Sequence, residues 1–141
     1  SSVGKRWVRF LLDNVIGNGG SPMADIILSR MDDEPSIGIV FPDDPHVIGW
    51  DLNKSYVEPY VSAFSLENYP EELHFPVGAF FWARPEALKI MFDLNLDWHD
   101  YPVEPLPYDG SLLHGLERLY GIAVRQAGFE IVNTNIPGVT R

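Results

Sequence analysis

At 141 residues the chain has the length of one domain, and a domain of that size buries roughly 68–70% of its unfolded surface, enough for a real core. Its 45% hydrophobic and 21% charged residues exclude a disordered segment, and its 8 Phe, 6 Tyr and 4 Trp are a large supply of core and pocket side chains. The 20 acids against 10 Lys and Arg give a net charge of −10, which repels nucleic acid and anionic lipid headgroups, so an anionic ligand would need a local basic or metal-loaded site.

Lys5 to Ile16 predicts a helix, because Trp7, Phe10, Leu11 and Val15, with Val8 beside them, recur at three- and four-residue spacing. Gly17-Asn18-Gly19-Gly20 ends it. Ser21-Pro22 restarts a helix, with Ser21 as N-cap and Pro22 at the first helical position, and Ile26, Ile27, Arg30 and Met31 carry it to Asp32-Asp33-Glu34-Pro35. Ile37 to Phe41 is a buried, β-branched strand, followed by a turn at Pro42-Asp43-Asp44-Pro45. Val47 to Ser62 shows no clean period, and Glu67 to His74 reads as an acidic loop. Val77 to Ala83 predicts a second strand and Pro85 to Leu94 a helix. Leu96 to Tyr108 holds three prolines (102, 105 and 107) and reads as an extended acidic connector. Gly110 to Ala127 predicts the longest helix, with Leu112, Leu116, Leu119 and Ala123 on one face, and Phe129 to Val132 a last strand. This order predicts an α/β layered domain, a small mixed sheet packed with helices.

The chain has no cysteine, which excludes disulfides and thiolate metal sites. No apolar run approaches the ~20 residues that cross a bilayer, so no transmembrane segment is expected. The chain opens on Ser1-Ser2-Val3-Gly4 without Met and stops at Arg141 after a strand-like segment, which reads as one domain excised from a longer protein.

Several residue groups could carry chemistry. Asp43-Asp44-Pro45-His46 has the composition of a divalent-ion site, but two prolines and the turn preference of Asp favour a plain turn. Ser111, His114 and Asp109 have the residue types of a hydrolase triad, yet lack the strand–turn–helix of a nucleophile elbow. His114 and Glu117 share a helical face with Gly110 and Gly121, and could project into a pocket or form a surface pair beside Arg118. Phe80, Trp82 and Arg84 fall on one side of their strand by alternation, Phe81 and Ala83 on the other. Arg84 could hold a phosphate or pair with an acid. Asp109 could cap the last helix through the amide of Ser111 or Leu112, or act as a base. The helix dipole would keep it ionised for either role.

The blocks G-x-x-F-W-x-R-P-x-A-L (Gly78, Phe81, Trp82, Arg84, Pro85, Ala87, Leu88) and P-x-D-G-x-L-x-H-x-x-E-R-L (Pro107, Asp109, Gly110, Leu112, His114, Glu117, Arg118, Leu119) resemble the rhamnan synthesis protein F family. Gly4 to Trp7, Leu11 to Asn14 and Ile37 to Pro42 resemble it too, so the likeness spans nearly the whole chain. The resemblance implies a glycosyltransferase-like domain of bacterial polysaccharide or lipopolysaccharide assembly, with a GT-A-like fold. It implies a nucleotide sugar, such as dTDP-rhamnose, and a glycan acceptor as partners of the full-length protein. Asp109 would then be the catalytic base, and Trp82, Arg84, Trp98, His114 and Glu117 would bind substrate. No Asp-x-Asp metal motif precedes these blocks, so residues 1–141 would be the C-terminal, acceptor-side part of the enzyme, inactive alone. A divalent metal (Mg or Mn) would sit in the other part, with none bound here. The resemblance further implies a cytoplasmic place, with any hold on the inner membrane made by other parts of the parent protein. The alternative is a non-catalytic carbohydrate-binding or partner-docking module. A metal hydrolase using Asp109, His114 and Glu117 is a third class.

Overall fold

The apolar run at 37–41 becomes the middle strand of a three-stranded sheet, ordered β2-β1-β3. A computed structural model describes residues 1–66 and 68–139. Glu67, where the acidic loop was expected to begin, and residues 140–141 lie outside the described residues. Strand β1 (Ile37–Pro42) pairs antiparallel with the two-residue β2 (Trp82–Ala83) and parallel with β3 (Glu130–Thr134). The sheet is therefore mixed and small, as expected. The second strand is much shorter than the expected Val77–Ala83. Gly78 and Ala79 both take positive φ (82° and 57°), which turns the chain before Phe80 and prevents an extended run.

Every residue of β1 is buried, because helices cover both faces. Ile39 and Phe41 pack with Ala87, Leu88 and Val124. Ile37 and Val40 pack on the other face with Ile27 and Met31. Strict alternation would put Ile37 with Ile39, but the register shifts between them, at Gly38, and sends Ile37 to the opposite layer. A side chain is impossible there: a Cβ on Gly38 would lie 2.5 Å from Phe129 Cβ and 2.9 Å from Val124 Cγ1.

Helices α1 (Ser2–Val15) and α2 (Met23–Asp33) cover one side. In α1, Phe10, Leu11 and Val15 are buried as their spacing predicts, whereas Val8 is on the outer face, 42% exposed. Ser21 does not cap α2. The helix starts one residue later than expected, and Ser21 forms a small bridge with Asn18 instead. The patternless stretch after β1 folds into a short α3 (Lys54–Val57) and a 3-10 turn (Glu58–Phe64). Residues 85–88 form a 3-10 turn running into α4 (Lys89–Asp93). The connector contains one 3-10 turn, Trp98–Asp100, closed by reciprocal hydrogen bonds between Asp97 and Asp100.

Helix α5 (Leu112–Gln126) is the axis of the largest apolar cluster, with Leu112, Leu116, Leu119 and Ala123 all buried. Among the described residues no helix is long and apolar enough to cross a membrane.

Candidate functional site

The polar side chains gather at the N-terminal half of α5, and Asn53 organises them. Asn53 stands at the start of α3, yet its side chain does not cap that helix. Its Nδ2 donates to Trp50 O (3.1 Å) and to Asp109 Oδ1 (2.5 Å). Its Oδ1 accepts from the amides of Gly110 (3.0 Å) and Ser111 (3.2 Å). The side chain is 0% exposed, and both of its donors and both acceptor lone pairs are satisfied. Gly110 takes φ 80°, the left-handed conformation that lets the chain turn into α5.

Asp109 is thus not the N-cap of α5. That place belongs to Ser111, whose Oγ accepts the His114 amide. Asp109 reaches sideways: Oδ1 to Asn53 and Oδ2 to the Leu52 amide at 3.3 Å. It stays half-buried. Partial burial acts to raise its carboxyl. The Asn53 hydrogen bond, the Leu52 and Gly110 amides and the Arg118 charge outweigh that effect and hold it below the ordinary aspartate range. Asp109 is therefore ionised at neutral pH.

Ser111 Oγ lies 2.7 Å from His114 Nδ1, so two members of the considered triad do meet. The third does not, because the hydrogen bonds of Asp109 go to Asn53 and Leu52. Ser111 is 3% exposed, which suits a cap better than a nucleophile.

One turn on, Glu117 accepts the Gly78 amide at 2.5 Å, and the Ala79 amide also acts on it. This ties α5 to the positive-φ turn. Burial pushes the Glu117 carboxyl up, the Asp109 charge adds to the rise, and the two amides and Arg118 oppose it. Arg118 is 4% exposed. Its Nε donates to Gly49 O (2.9 Å), Nη1 to His114 O (2.9 Å) and Nη2 to Asp51 Oδ2 (2.7 Å), and its guanidinium lies over the Phe75 ring. Asp109, Glu117 and Arg118 thus form one electrostatic corner, which the His114 carbonyl joins through Arg118. Gly121, read as room for a ligand on this face, is filled: a Cβ there would lie 1.8 Å from His74 O.

The other expected site residues lie elsewhere. Trp82 donates its indole N–H to Val15 O (2.7 Å) and packs beside Ile27, Met31, Ile37 and Val40. Arg84 donates to the carbonyls of Ile37, Met31 and Glu34, so it meets main chain where a phosphate or an acid was expected. Trp98 stands on the connector, 82% exposed. Asp44 is buried and accepts from Trp7 Nε1 (3.0 Å) and from His46, so it anchors an otherwise exposed Asp43–His46 turn. Among the described residues no three His, Asp or Glu side chains converge as metal ligands.

An open groove of about 420 Å³ lies at the start of α5. Tyr56, Tyr60, Asp100, Pro102, Pro107 and Ser111 line it, and Gly110, next to Asp109, is in its wall. Asn53, Asp51 and the two tyrosines carry no motif. An Asn before a short helix reads as an ordinary cap, and only the fold shows that it reaches across to α5.

A family model described as rhamnan synthesis protein F matches residues 1–129. The chain is 28% identical over 118 residues to "Uncharacterized protein WxcX" of Xanthomonas campestris pv. campestris strain B100. It is equally similar to the protein of that name from a second strain. Each match covers 79% of this chain and 16% of the relative, so the chain spans about one sixth of their length. No solved structure matches the chain at a significant level.

Proposed function

Because the chain belongs to the rhamnan synthesis protein F family, we propose that it is the acceptor-side part of a GT-A-like glycosyltransferase that builds a bacterial cell-surface polysaccharide. The family ties the chain to rhamnan and polysaccharide synthesis. The observation that carries the finer reading is the Asp109 carboxylate, ionised and half-buried just before α5, next in sequence to Gly110 of the groove wall.

In the full-length protein, Asp109 takes the proton of an acceptor hydroxyl as that oxygen attacks the anomeric carbon of a nucleotide sugar. The bond from that carbon to the diphosphate breaks, and the nucleoside diphosphate leaves with the electron pair. A divalent metal held by the rest of the enzyme would neutralise the leaving group. Asn53 and the Leu52 amide fix the carboxylate in place, and the Arg118 charge favours its ionised form. His114 and Glu117 shape the same corner, and the exposed Trp98 indole offers a flat face to a sugar ring. The place of action is the cytoplasmic side of the cell envelope.

A second reading has one observation in its favour. Both Asp109 oxygens already accept hydrogen bonds, which lowers their basicity and suits a clip that closes a non-catalytic glycan-binding module. The Asp109→Asn variant of the full-length protein separates the two. The transferase reading expects sugar transfer to fall at least about 100-fold with the nucleotide sugar still bound. Turnover that persists while the melting temperature drops removes Asp109 from the base role.

A further inference from the structure

We infer that the groove at the start of α5 is a subsite for a neutral saccharide, gripped by Tyr56 and Tyr60 and by the Asp100 carboxylate, and that it takes the glycan acceptor and not the nucleotide diphosphate. The inference rests on the transferase reading only for the word acceptor; the binding itself needs no chemistry.

The shape comes first. The groove is open at one side and holds about 420 Å³, the space of a small oligosaccharide unit. Its walls come from three places: the α3 and 3-10 segment (Tyr56, Tyr60), the proline-rich connector (Asp100, Pro102, Pro107) and the first residues of α5. Prolines fix the connector wall without offering amide donors. Tyr56 is 46% exposed, so its ring is presented to solvent, not to the core. Tyrosine rings give an apolar face with a polar tip, the combination that suits a sugar ring edged by hydroxyls. A 6-deoxy sugar such as rhamnose adds a methyl group that fits an apolar wall.

The electrostatics decide the ligand class. A helix N-terminus normally favours an anion through its free amides. Here the Gly110 and Ser111 amides are taken by Asn53 Oδ1, and the His114 amide by Ser111 Oγ. Asp100 stands in the groove wall, and Asp97, Glu104 and Asp109 lie on the same stretch of chain. Lys54, the cation of the α3 segment, is directed over the Tyr69 ring at 4.2 Å. A diphosphate would meet the Asp100 carboxylate and no Lys or Arg in the groove wall, whereas a neutral polyol can donate its hydroxyls to that carboxylate. Asp100 uses Oδ2 to accept the Asp97 amide, and as a carboxylate it keeps lone pairs for a hydroxyl.

The test uses the full-length parent protein, with an α-linked rhamnose trisaccharide and dTDP as probes in saturation-transfer NMR and calorimetry. Tyr56→Ala should weaken the trisaccharide at least about fivefold, and Asp100→Asn should weaken it as well, both with dTDP affinity unchanged. Tyr60 packs partly against the core, so Tyr60→Phe is the safe probe there, and it should lose less than Tyr56→Ala. Trisaccharide affinity unchanged in the Tyr56→Ala/Asp100→Asn double variant overturns the subsite, and so does wild-type protein that binds no trisaccharide. A fall in dTDP affinity instead would mean that the groove holds the anionic donor. If Asp109→Asn keeps turnover while Tyr56→Ala loses the trisaccharide, the subsite stands and the catalytic assignment falls. If Asp109→Asn abolishes turnover and the groove variants bind as wild type, the subsite alone falls.

Discussion

Among the described residues Arg118 is buried and Arg84 partly so, and their surroundings differ. Arg84, between the sheet and α2, is surrounded by main-chain carbonyls: those of Ile37, Met31 and Glu34. Two of these belong to the last turn of α2 and the residue that ends it, where the helix dipole is negative, so the cation is balanced without a carboxylate. Arg118, on α5, also takes two carbonyls, but it pairs with Asp51 and has Glu117 at 3.9 Å and the Asp109 charge nearby. The first arginine is a staple with one stable arrangement. The second sits among carboxylates that the fold shifts in opposite directions, Asp109 down and Glu117 up. Environments that drive neighbouring carboxylates apart are where acid–base work concentrates, and that separates the α5 corner from the sheet layer.

The sharpest way to break this contrast is to remove the hub of the α5 corner. Asn53→Ala strands two main-chain amides and the Asp109 carboxylate together, and should cost about 4 kcal/mol. For a domain this size that is a melting-temperature drop on the order of 10 °C. Asn53→Asp restores an acceptor for Gly110 and Ser111 but places a second carboxylate against Asp109. Its deficit should therefore grow as pH rises from about 4 to 7. A deficit that is small in both variants would mean that α5 is held by apolar packing alone.

Next comes the direct comparison of the two arginines. Arg118→Met leaves Glu117 buried without its cation and should cost about 3 kcal/mol, the low end for a broken buried pair because Asp51 is half-exposed. Arg84→Met removes hydrogen bonds to carbonyls near the surface and should cost roughly 1–2 kcal/mol. Denaturant midpoints of the two variants measure this, and equal losses would erase the distinction.

How far the sequence foretold each region follows from the range of the forces involved. The middle strand and α1 were legible, whereas β2 is two residues long and not the expected Val77–Ala83. Ile37 to Phe41 is apolar and β-branched, and Phe10, Leu11 and Val15 recur at helical spacing, so local pattern and burial agree. The register shift at Gly38 was not, because it answers to Phe129 and Val124, far along the chain. The α5 corner was legible in its members and not in their roles. Asp109 beside a helix start looks like a cap, and only the approach of Asn53, 56 residues away, turns it aside and leaves the cap to Ser111. The stretch from Trp50 to Phe64 has no period because its polar residues serve α5 and its short turns never complete a face. Trp82 and Arg84 have the residue types of a ligand site, and the fold uses both for α1, α2 and β1.

A smaller effect tests whether the sheet layer is purely structural. Trp82→Phe keeps the ring in its place between α2 and β1 but removes the donor to Val15 O, the last carbonyl of α1. The loss should be ~1 kcal/mol, and glycan binding and turnover in the full-length protein should not change. A loss of trisaccharide affinity larger than the stability loss would return Trp82 to the ligand and make the sheet layer part of the site.

The finest contrast is between the two carboxylates of the α5 corner, and it appears only against pH. Glu117 is raised by burial, so the folded chain holds that proton more tightly than the unfolded chain. Its contribution is complete below the unfolded value, near 4.3, and declines as pH rises through the higher folded value. Asp109 has the opposite sign: its contribution is complete above about 3.9 and is lost as pH falls through the lowered folded value. Glu117→Gln keeps an acceptor for the Gly78 amide and removes the first dependence alone. Its melting temperature should match or trail wild type at pH 4 and gain on it steadily toward pH 7. A difference that stays flat would mean that the two amides and Arg118 fully offset burial. Glu117 would then be a permanently ionised tie to the 78–79 turn, and Asp109 would be left as the one carboxylate of this corner whose charge state the fold sets.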